Sequence, residues 1–180
     1  TARIVNSKQV GTEVLSVTTL GNTIGTPAGG ITADVVEVMD FDELEAMGAE
    51  HVSGKIVFFN RPMDPTQLNT FNAYGGAVDQ RVFGAESASR LGALAVIVRS
   101  MASGINDVPH TGTNAYEEGT IPIPAIAVST LDADRLSLLL KREVLSVNLT
   151  SNGQMLSPVL TYNVIAEKRG KTKPDEIILV

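Results

Sequence analysis

The sequence contains no cysteine, and this absence excludes several kinds of chemistry at once. Without a thiol, the chain has no disulfide framework, no thiolate nucleophile, no cysteine-ligated zinc and no iron–sulfur cluster. Histidine is nearly as scarce, with only His51 and His110. Any metal site in this chain would therefore depend mainly on carboxylate ligands.

Basic residues and long apolar runs are also in short supply. Lysine and arginine number 14 against 20 acidic residues, which gives a net charge of -6. Because a nucleic-acid partner requires a basic patch, the sequence predicts no such partner. No apolar run approaches the roughly 20 residues that span a bilayer, so we predict no membrane partner either.

What the sequence does contain is typical of one globular domain, alone or with pieces of a neighbouring domain. Of the 180 residues, 43% are hydrophobic and 19% are charged, which is sufficient for a substantial core. The chain begins at Thr1 without a signal-peptide pattern and stops inside a strand-like run at 176–180. We therefore expect it to be a fragment of a larger protein.

Apolar segments of the kind found in buried strands predict an α/β fold. With the helical patterns along the chain they indicate a βαβαβ run, and so a small parallel sheet with right-handed crossovers. Further strand-like segments are too numerous for that sheet and predict a second, antiparallel β layer. The apolar segments are 55–60, 93–98 and 125–128, and the further ones are 12–39, 144–150 and 159–180.

Capping residues predict where the helices begin and end. Asp40 with Glu43 forms a capping-box pattern, and Gly48 suits the end of that short helix. A longer helix is expected over about 76–91, and Ser129 is expected to cap another. The stretch between 61 and 75 is polar and rich in Asn and Pro, and it leads into this longer helix.

Catalytic motifs are not complete anywhere in the chain. Gly170-Lys171-Thr172 has the ending of a phosphate-binding loop, but its first glycine is replaced by Ile165. The sequence has neither a G-x-S-x-G elbow nor an H-E-x-x-H motif. The acidic pair Glu117-Glu118 lies near His110 in sequence but is expected to be a solvated loop. We therefore assign no catalytic residue and no metal-binding residue.

A polar loop at 108–119 is the candidate contact site. Long loops inside compact domains are usually either functional or disordered, and this one is rich in groups that hydrogen-bond ligands. A substrate contact and a purely structural role both remain open for it. The candidate residues are His110, Thr111, Gly112, Asn114 and Tyr116.

The order of several short motifs resembles a protease-associated (PA) domain. Those domains have a strand that opens with Gly-Lys-Ile-Val, a helix that ends in Gly-Ala and a strand that follows Ile-Pro. The matching segments of this chain are Gly54-Lys55-Ile56-Val57, residues 88–97 and Ile123-Pro124-Ala125-Ile126.

Further segments are similar to the carboxypeptidase Q branch of the two-zinc exopeptidases, from about residue 15 onward. They are residues 20–32, 41–44, 97–103, 109–112, 162–167 and 174–180. In that family the strand corresponding to 176–180 continues into a Gly-His-x-Asp segment with the first zinc ligands, and this sequence stops before it. None of the family's catalytic or metal-binding residues can therefore be transferred to this chain.

The resemblance implies a swivelling β/β/α accessory domain. It divides the chain into a β-rich lead-in (1–30), the PA domain (31–158) and the start of a truncated zinc peptidase domain (159–180), which supplies a C-terminal strand pair. The implied role is non-catalytic, in a secreted or periplasmic zinc exopeptidase whose zinc lies in the catalytic domain. The implied partners are that domain, a peptide or dipeptide substrate, and a second copy of the chain. An interaction module of a receptor or sorting protein is the alternative.

Overall fold

The computed structural model of the chain, which describes residues 1–178, is built around eight strands and four helices. The strands lie side by side in the order β2-β1-β8-β4-β5-β6-β7-β3. They are β1 (Ala2–Ser7), β2 (Gly11–Leu15), β3 (Val17–Thr19), β4 (Ile31–Val38), β5 (Ile56–Phe59), β6 (Ala95–Arg99), β7 (Ala125–Val128) and β8 (Ser146–Leu149). The helices are α1 (Phe41–Val52), α2 (Thr70–Gly75), α3 (Asp79–Arg90) and α4 (Thr130–Leu140).

The predicted parallel strands are confirmed. β5, β6 and β7 are parallel neighbours, and their residues are buried on both faces as their uninterrupted apolar runs predict. β4 extends this part of the sheet by pairing in parallel with β5. The βαβαβ run consequently comprises β4, β5 and β6, whereas β6 reaches β7 through a long loop without a helix.

The antiparallel strands continue the same hydrogen-bonded order and do not form a separate layer. β4 joins the two parts, since its first half (31–34) pairs with β8 and its second half (35–38) pairs with β5. β1 lies between β2 and β8, so the predicted lead-in pairs directly with strands from the rest of the chain. The prediction of antiparallel strands is correct, but their expected separation from the parallel strands is wrong.

Ser16 separates two short strands that occupy opposite ends of the strand order. β2 before it pairs with β1, and β3 after it pairs with β7. The Ser16 N–H donates to Oδ2 of Asp132 (2.6 Å), and its carbonyl accepts from the N–H of Ser129 (2.9 Å). The residues at the start of α4 thus fix the position of Ser16. Because β2 and β3 are nearly adjacent in sequence but form the two edge strands, the sheet must curve to bring its edges close together.

The helix ends follow the predicted capping residues. Oδ1 of Asp40 accepts from the N–H of Glu43 (2.9 Å), whose carboxylate accepts from the N–H of Met39 (2.7 Å). Gly48 leaves the helical conformation at φ 61°, but helix resumes and α1 ends only at Val52. Ser129 caps α4 as predicted. The helix expected over 76–91 begins at 79, and the polar stretch before it contains α2, for which no helix was predicted.

The apolar core lies on both faces of the parallel strands. On one face, Val57 and Phe59 of β5 pack in a cluster with side chains of α1 and α3. On the other face, Ile56 and Phe58 pack with α4 and with the antiparallel strands. Because successive side chains of β5 point to opposite faces, helices pack against both faces of the sheet.

The C-terminal segment does not form the predicted strand pair within the described residues. Residues 162–178 contain no strand, and the apolar side chains from Met155 to Ile178 are exposed. An isolated two-stranded hairpin is at best marginally stable in water, and this segment packs against no layer of the described chain. The last two residues of the predicted strand, 179 and 180, lie outside the described residues.

Candidate functional site

The candidate loop leaves the sheet at the carboxyl end of β6 and returns at the start of β7, as its position in the sequence predicts. In open α/β sheets ligand sites usually lie at these carboxyl ends. The loop is also connected to the segment that follows β3, since Gly21 and Thr113 form a parallel bridge.

His110 is hydrogen-bonded to its own loop. Its N–H donates to Oγ of Ser100 (2.8 Å), and its ring Nδ1 lies 3.2 Å from the carbonyl oxygen of Met101. A carbonyl oxygen can only accept, so this contact requires the proton on Nδ1. These two bonds connect His110 to the residues that directly follow β6.

Backbone contacts hold the middle of the loop against residues 19–21. Oγ1 of Thr111 donates to the carbonyl of Thr19 (2.8 Å), and the N–H of Gly21 donates to the carbonyl of Gly112 (2.6 Å). The N–H of Asn114 returns a bond to the carbonyl of Gly21 (2.9 Å). The loop is therefore an ordered extension of the sheet edge, and many of its hydrogen-bonding groups already have partners within the chain.

Arg81 of α3 lies directly against Gly112. The guanidinium donates to the Tyr74 hydroxyl and to the carbonyl of Thr111 (3.4 Å). A Cβ placed on Gly112 would lie 2.2 Å from Nε of Arg81. A side chain at this position would have to displace the arginine or the loop, because the arginine occupies the space that its Cβ would fill.

Asn114 and Tyr116 lie on the inner side of the loop. Asn114 is 2% exposed, and its side-chain amide has no hydrogen-bond partner among the described residues. The Tyr116 hydroxyl donates to the carbonyl of Ile123 (3.1 Å), and burial raises the pKa of this phenol. The five candidate residues therefore share one loop without converging: His110, Asn114 and Tyr116 are partly or fully buried, and only Thr111 is well exposed.

The acidic pair near the end of the loop, Glu117-Glu118, does not join His110. A carboxylate oxygen of Glu117 binds Arg90 (2.7 Å). Glu86 accepts from Arg90 (2.9 Å), from the N–H of Glu117 and from Thr120, and the Arg90 bond is the main reason that the pKa of Glu86 is lowered. Within residues 1–178 no group of three side chains is arranged to hold a metal ion.

A second polar cluster lies at the carboxyl ends of β4, β5 and β6, and our sequence analysis missed it. Nη1 of Arg99, whose side chain is only 6% exposed, donates to Oδ1 of Asn60 (3.1 Å) and to Oδ1 of Asp134 (2.6 Å). The Asn60 amide nitrogen in turn donates to Oε1 of Glu37 (2.6 Å). Four side chains from three strands and α4 thus form one connected chain of hydrogen bonds.

This cluster borders a cleft of about 480 Å³. The volume lies within the range of small-ligand pockets. A sequence signal for the cluster existed, because Asn60 and Arg99 are polar residues that directly end apolar strands. The residues lining the cleft are Glu37, Met39, Glu43, Asn60, Pro62, Arg99, Asp134, Ser137 and Lys141.

Several solved structures that resemble this fold are peptidases. The peptidase M28 precursor from Shewanella amazonensis SB2B superposes with a TM-score of 0.76 at 33% identity, covering 83% of this chain and 33% of that protein. An aminopeptidase from Aneurinibacillus sp. strain AM-1 has a TM-score of 0.51 at 15% identity, which supports the fold alone. No family model matches the chain. The fold is therefore a mixed α/β fold shared with part of an M28 peptidase.

Within that class, the chain is similar to carboxypeptidase Q over part of that protein's length. Carboxypeptidase Q of Mus musculus is 34% identical over 167 residues, which cover 92% of this chain and 34% of that protein. The Homo sapiens protein is also 34% identical over the same length. The chain thus spans about a third of the length of the curated relatives it matches. The similarity agrees with the resemblance found from the motifs of the sequence.

Proposed function

We propose that the chain is a non-catalytic accessory domain of the PA type in a secreted or periplasmic zinc exopeptidase. In this role it borders the active-site cleft of a catalytic domain that holds the zinc, and it shapes the access of peptides or dipeptides or contributes to contacts between two copies. The observation that carries the proposal is the 34% sequence identity between this chain and a stretch that makes up 34% of carboxypeptidase Q.

Two features of the structure support an accessory role: hydrogen bonds within the chain that occupy the polar groups of the candidate loop, and apolar side chains that are exposed. The loop at 108–119 binds mainly backbone of its own chain. The exposed apolar side chains between 155 and 178 suit packing against a neighbouring domain. Among residues 1–178 no helix has the length and apolarity to cross a membrane. The peptidase relatives do not favour the alternative of a receptor or sorting module.

The first test is an activity assay on the 180-residue chain. The chain is incubated with zinc and a panel of dipeptides and aminoacyl substrates, and we expect no hydrolysis. A catalytic zinc needs about three protein ligands and an open position, and residues 1–178 contain no group of three such ligands. Elemental analysis after dialysis is expected to show no stoichiometric zinc. Metal-dependent turnover by the purified chain would contradict the accessory role.

The second test concerns the loop in the full-length peptidase. If the loop contacts substrate, His110→Ala is expected to lower kcat/KM about tenfold, since one buried polar contact is lost. Thr113→Ala, at an exposed position of the same loop, is the matched control. Unchanged kinetics with a lower melting temperature would assign His110 to the structural role that its bond to Met101 indicates.

A further inference from the structure

The cleft beside Arg99 contains charged groups of both signs, and we propose that it binds a small zwitterion with the chemistry of a free α-amino acid. Cationic Arg99 and anionic Glu37 both bind the Asn60 side chain, Arg99 at its oxygen (3.1 Å) and Glu37 at its nitrogen (2.6 Å). The two opposite charges are therefore separated by one carboxamide and the two hydrogen bonds to it. An α-amino acid carries its ammonium and carboxylate on one carbon atom, so that with a hydrogen bond at each end it bridges a gap of the same kind.

The cationic groups of the cleft retain hydrogen-bonding capacity. Arg99 is a buried side chain whose two hydrogen bonds both come from Nη1, so its Nη2 donates to no group among the described residues. A buried, unpaired guanidinium N–H is costly unless a ligand or water accepts from it. Lys141 lines the same cleft, is exposed, and takes part in no ion pair within residues 1–178. These groups suit a carboxylate, which arginine binds with well-defined geometry.

The anionic groups are also incompletely used. Asn60 occupies Oε1 of Glu37, and Arg99 occupies Oδ1 of Asp134, which leaves the second oxygen of each carboxylate without a partner among the described residues. Asp134 is about half exposed, at 47%. Glu43 supplies a third carboxylate to the lining. An ammonium group placed here can therefore donate to carboxylate oxygens that no described side chain uses.

Ligands with a single charge fit the cleft less well. A phosphate or a simple carboxylate would lie near three carboxylates, and a metal cation would lie near Arg99 and Lys141. Like charges close together disfavour both kinds of ligand. A zwitterion can instead pair each of its charges with groups of opposite sign. Met39 and Pro62 complete the lining and give a small apolar side chain a surface to contact.

The experiment measures binding to the full chain by titration calorimetry, with L-alanine as the ligand. Propionate lacks the ammonium group of L-alanine, and ethylamine lacks its carboxylate. Each is expected to bind at least about tenfold more weakly than L-alanine, because a charged hydrogen bond is lost. Dialanine, with its charges farther apart, is expected to bind more weakly as well.

Two substitutions localise the binding. Glu37→Gln keeps an acceptor for the Asn60 amide but removes the negative charge, and Lys141→Gln removes a positive charge from the exposed rim. Each is expected to weaken L-alanine binding about three- to tenfold, as expected when one partly exposed charge contact is removed. Arg142→Gln, which changes the same charge at the next position but outside the lining, is expected to leave binding unchanged.

The outcomes separate cleanly. The absence of saturable L-alanine binding up to about 50 mM, a concentration that corresponds to negligible affinity, overturns the proposal. Equal binding of L-alanine and propionate, or tighter binding of dialanine, also overturns it, because the two charges would not be recognised together. Loss of binding in Arg142→Gln equal to that in Lys141→Gln would place the ligand elsewhere. The test does not depend on peptidase activity.

Discussion

Replacement of Phe59 by alanine is expected to lower the free energy of unfolding by about 3–5 kcal/mol. The ring is fully buried in β5 and lies 5.5 Å, centroid to centroid, from the ring of Phe41 in α1. α3 passes so close that a Cβ on Gly84 would lie 2.9 Å from Cε2 of Phe59. Because both helices contact this one ring, its removal leaves a cavity between them and the sheet.

Urea denaturation monitored by circular dichroism measures this loss. Phe59→Leu is expected to cost less than Phe59→Ala, since it retains part of the buried volume. Phe71→Ala is the matched control, because that ring is 86% exposed and its removal should change stability by less than about 0.5 kcal/mol. A Phe59→Ala variant as stable as Phe71→Ala would show that α1 and α3 do not pack on β5 as described.

Gly112→Ala is expected to lower the free energy of unfolding by about 1–3 kcal/mol, the usual cost of overpacking. The added Cβ would lie 2.2 Å from Nε and 2.7 Å from Cδ of Arg81. Arg81 is buried and is held by Tyr74 and by the carbonyl of Thr111, so it has little room to move. Either the arginine or the loop must shift.

A double-mutant cycle identifies the cause. In an Arg81→Ala background, Gly112→Ala is expected to cost clearly less than it does alone, because the atoms it collides with are gone. Gly104→Ala is the control in the same long loop, since its Cβ would meet only a side-chain nitrogen of Asn106 at 4.0 Å. Equal costs of Gly112→Ala in both backgrounds would exclude the collision with Arg81.

The elements that the sequence predicted well are those defined by local patterns. β5, β6 and β7 are uninterrupted apolar runs because both of their faces are buried, and Asp40 and Ser129 cap helices through bonds spanning three residues. β4 connects the antiparallel and parallel strands because its neighbour changes from β8 to β5 at Val35. No local sequence pattern indicates such a change of partner. α2 was missed because it is short and lies in a stretch rich in turn-forming residues.

The position of the candidate loop was predictable, but the state of its side chains was not. Topology alone places a loop between β6 and β7 at the carboxyl ends of the strands. Its residues are held by Thr19, Gly21 and Arg81, which are distant in sequence. The Arg99 cluster similarly assembles Glu37, Asn60 and Asp134 from separate elements, although the polar residues that end two apolar strands gave a usable signal.

The position of β8 between β1 and β4 has a consequence for the order of folding. The parallel strands can assemble once Val128 has been synthesised, since all their partners precede it in the chain. β1 and β2 can pair with each other early, but β1 gains its second neighbour only when residues 146–149 emerge. Pairings between such distant residues are slow to form. The pairing of β8 with both β1 and β4 can therefore form only after these residues have been synthesised, and it joins the first residues of the chain to residues translated more than a hundred codons later.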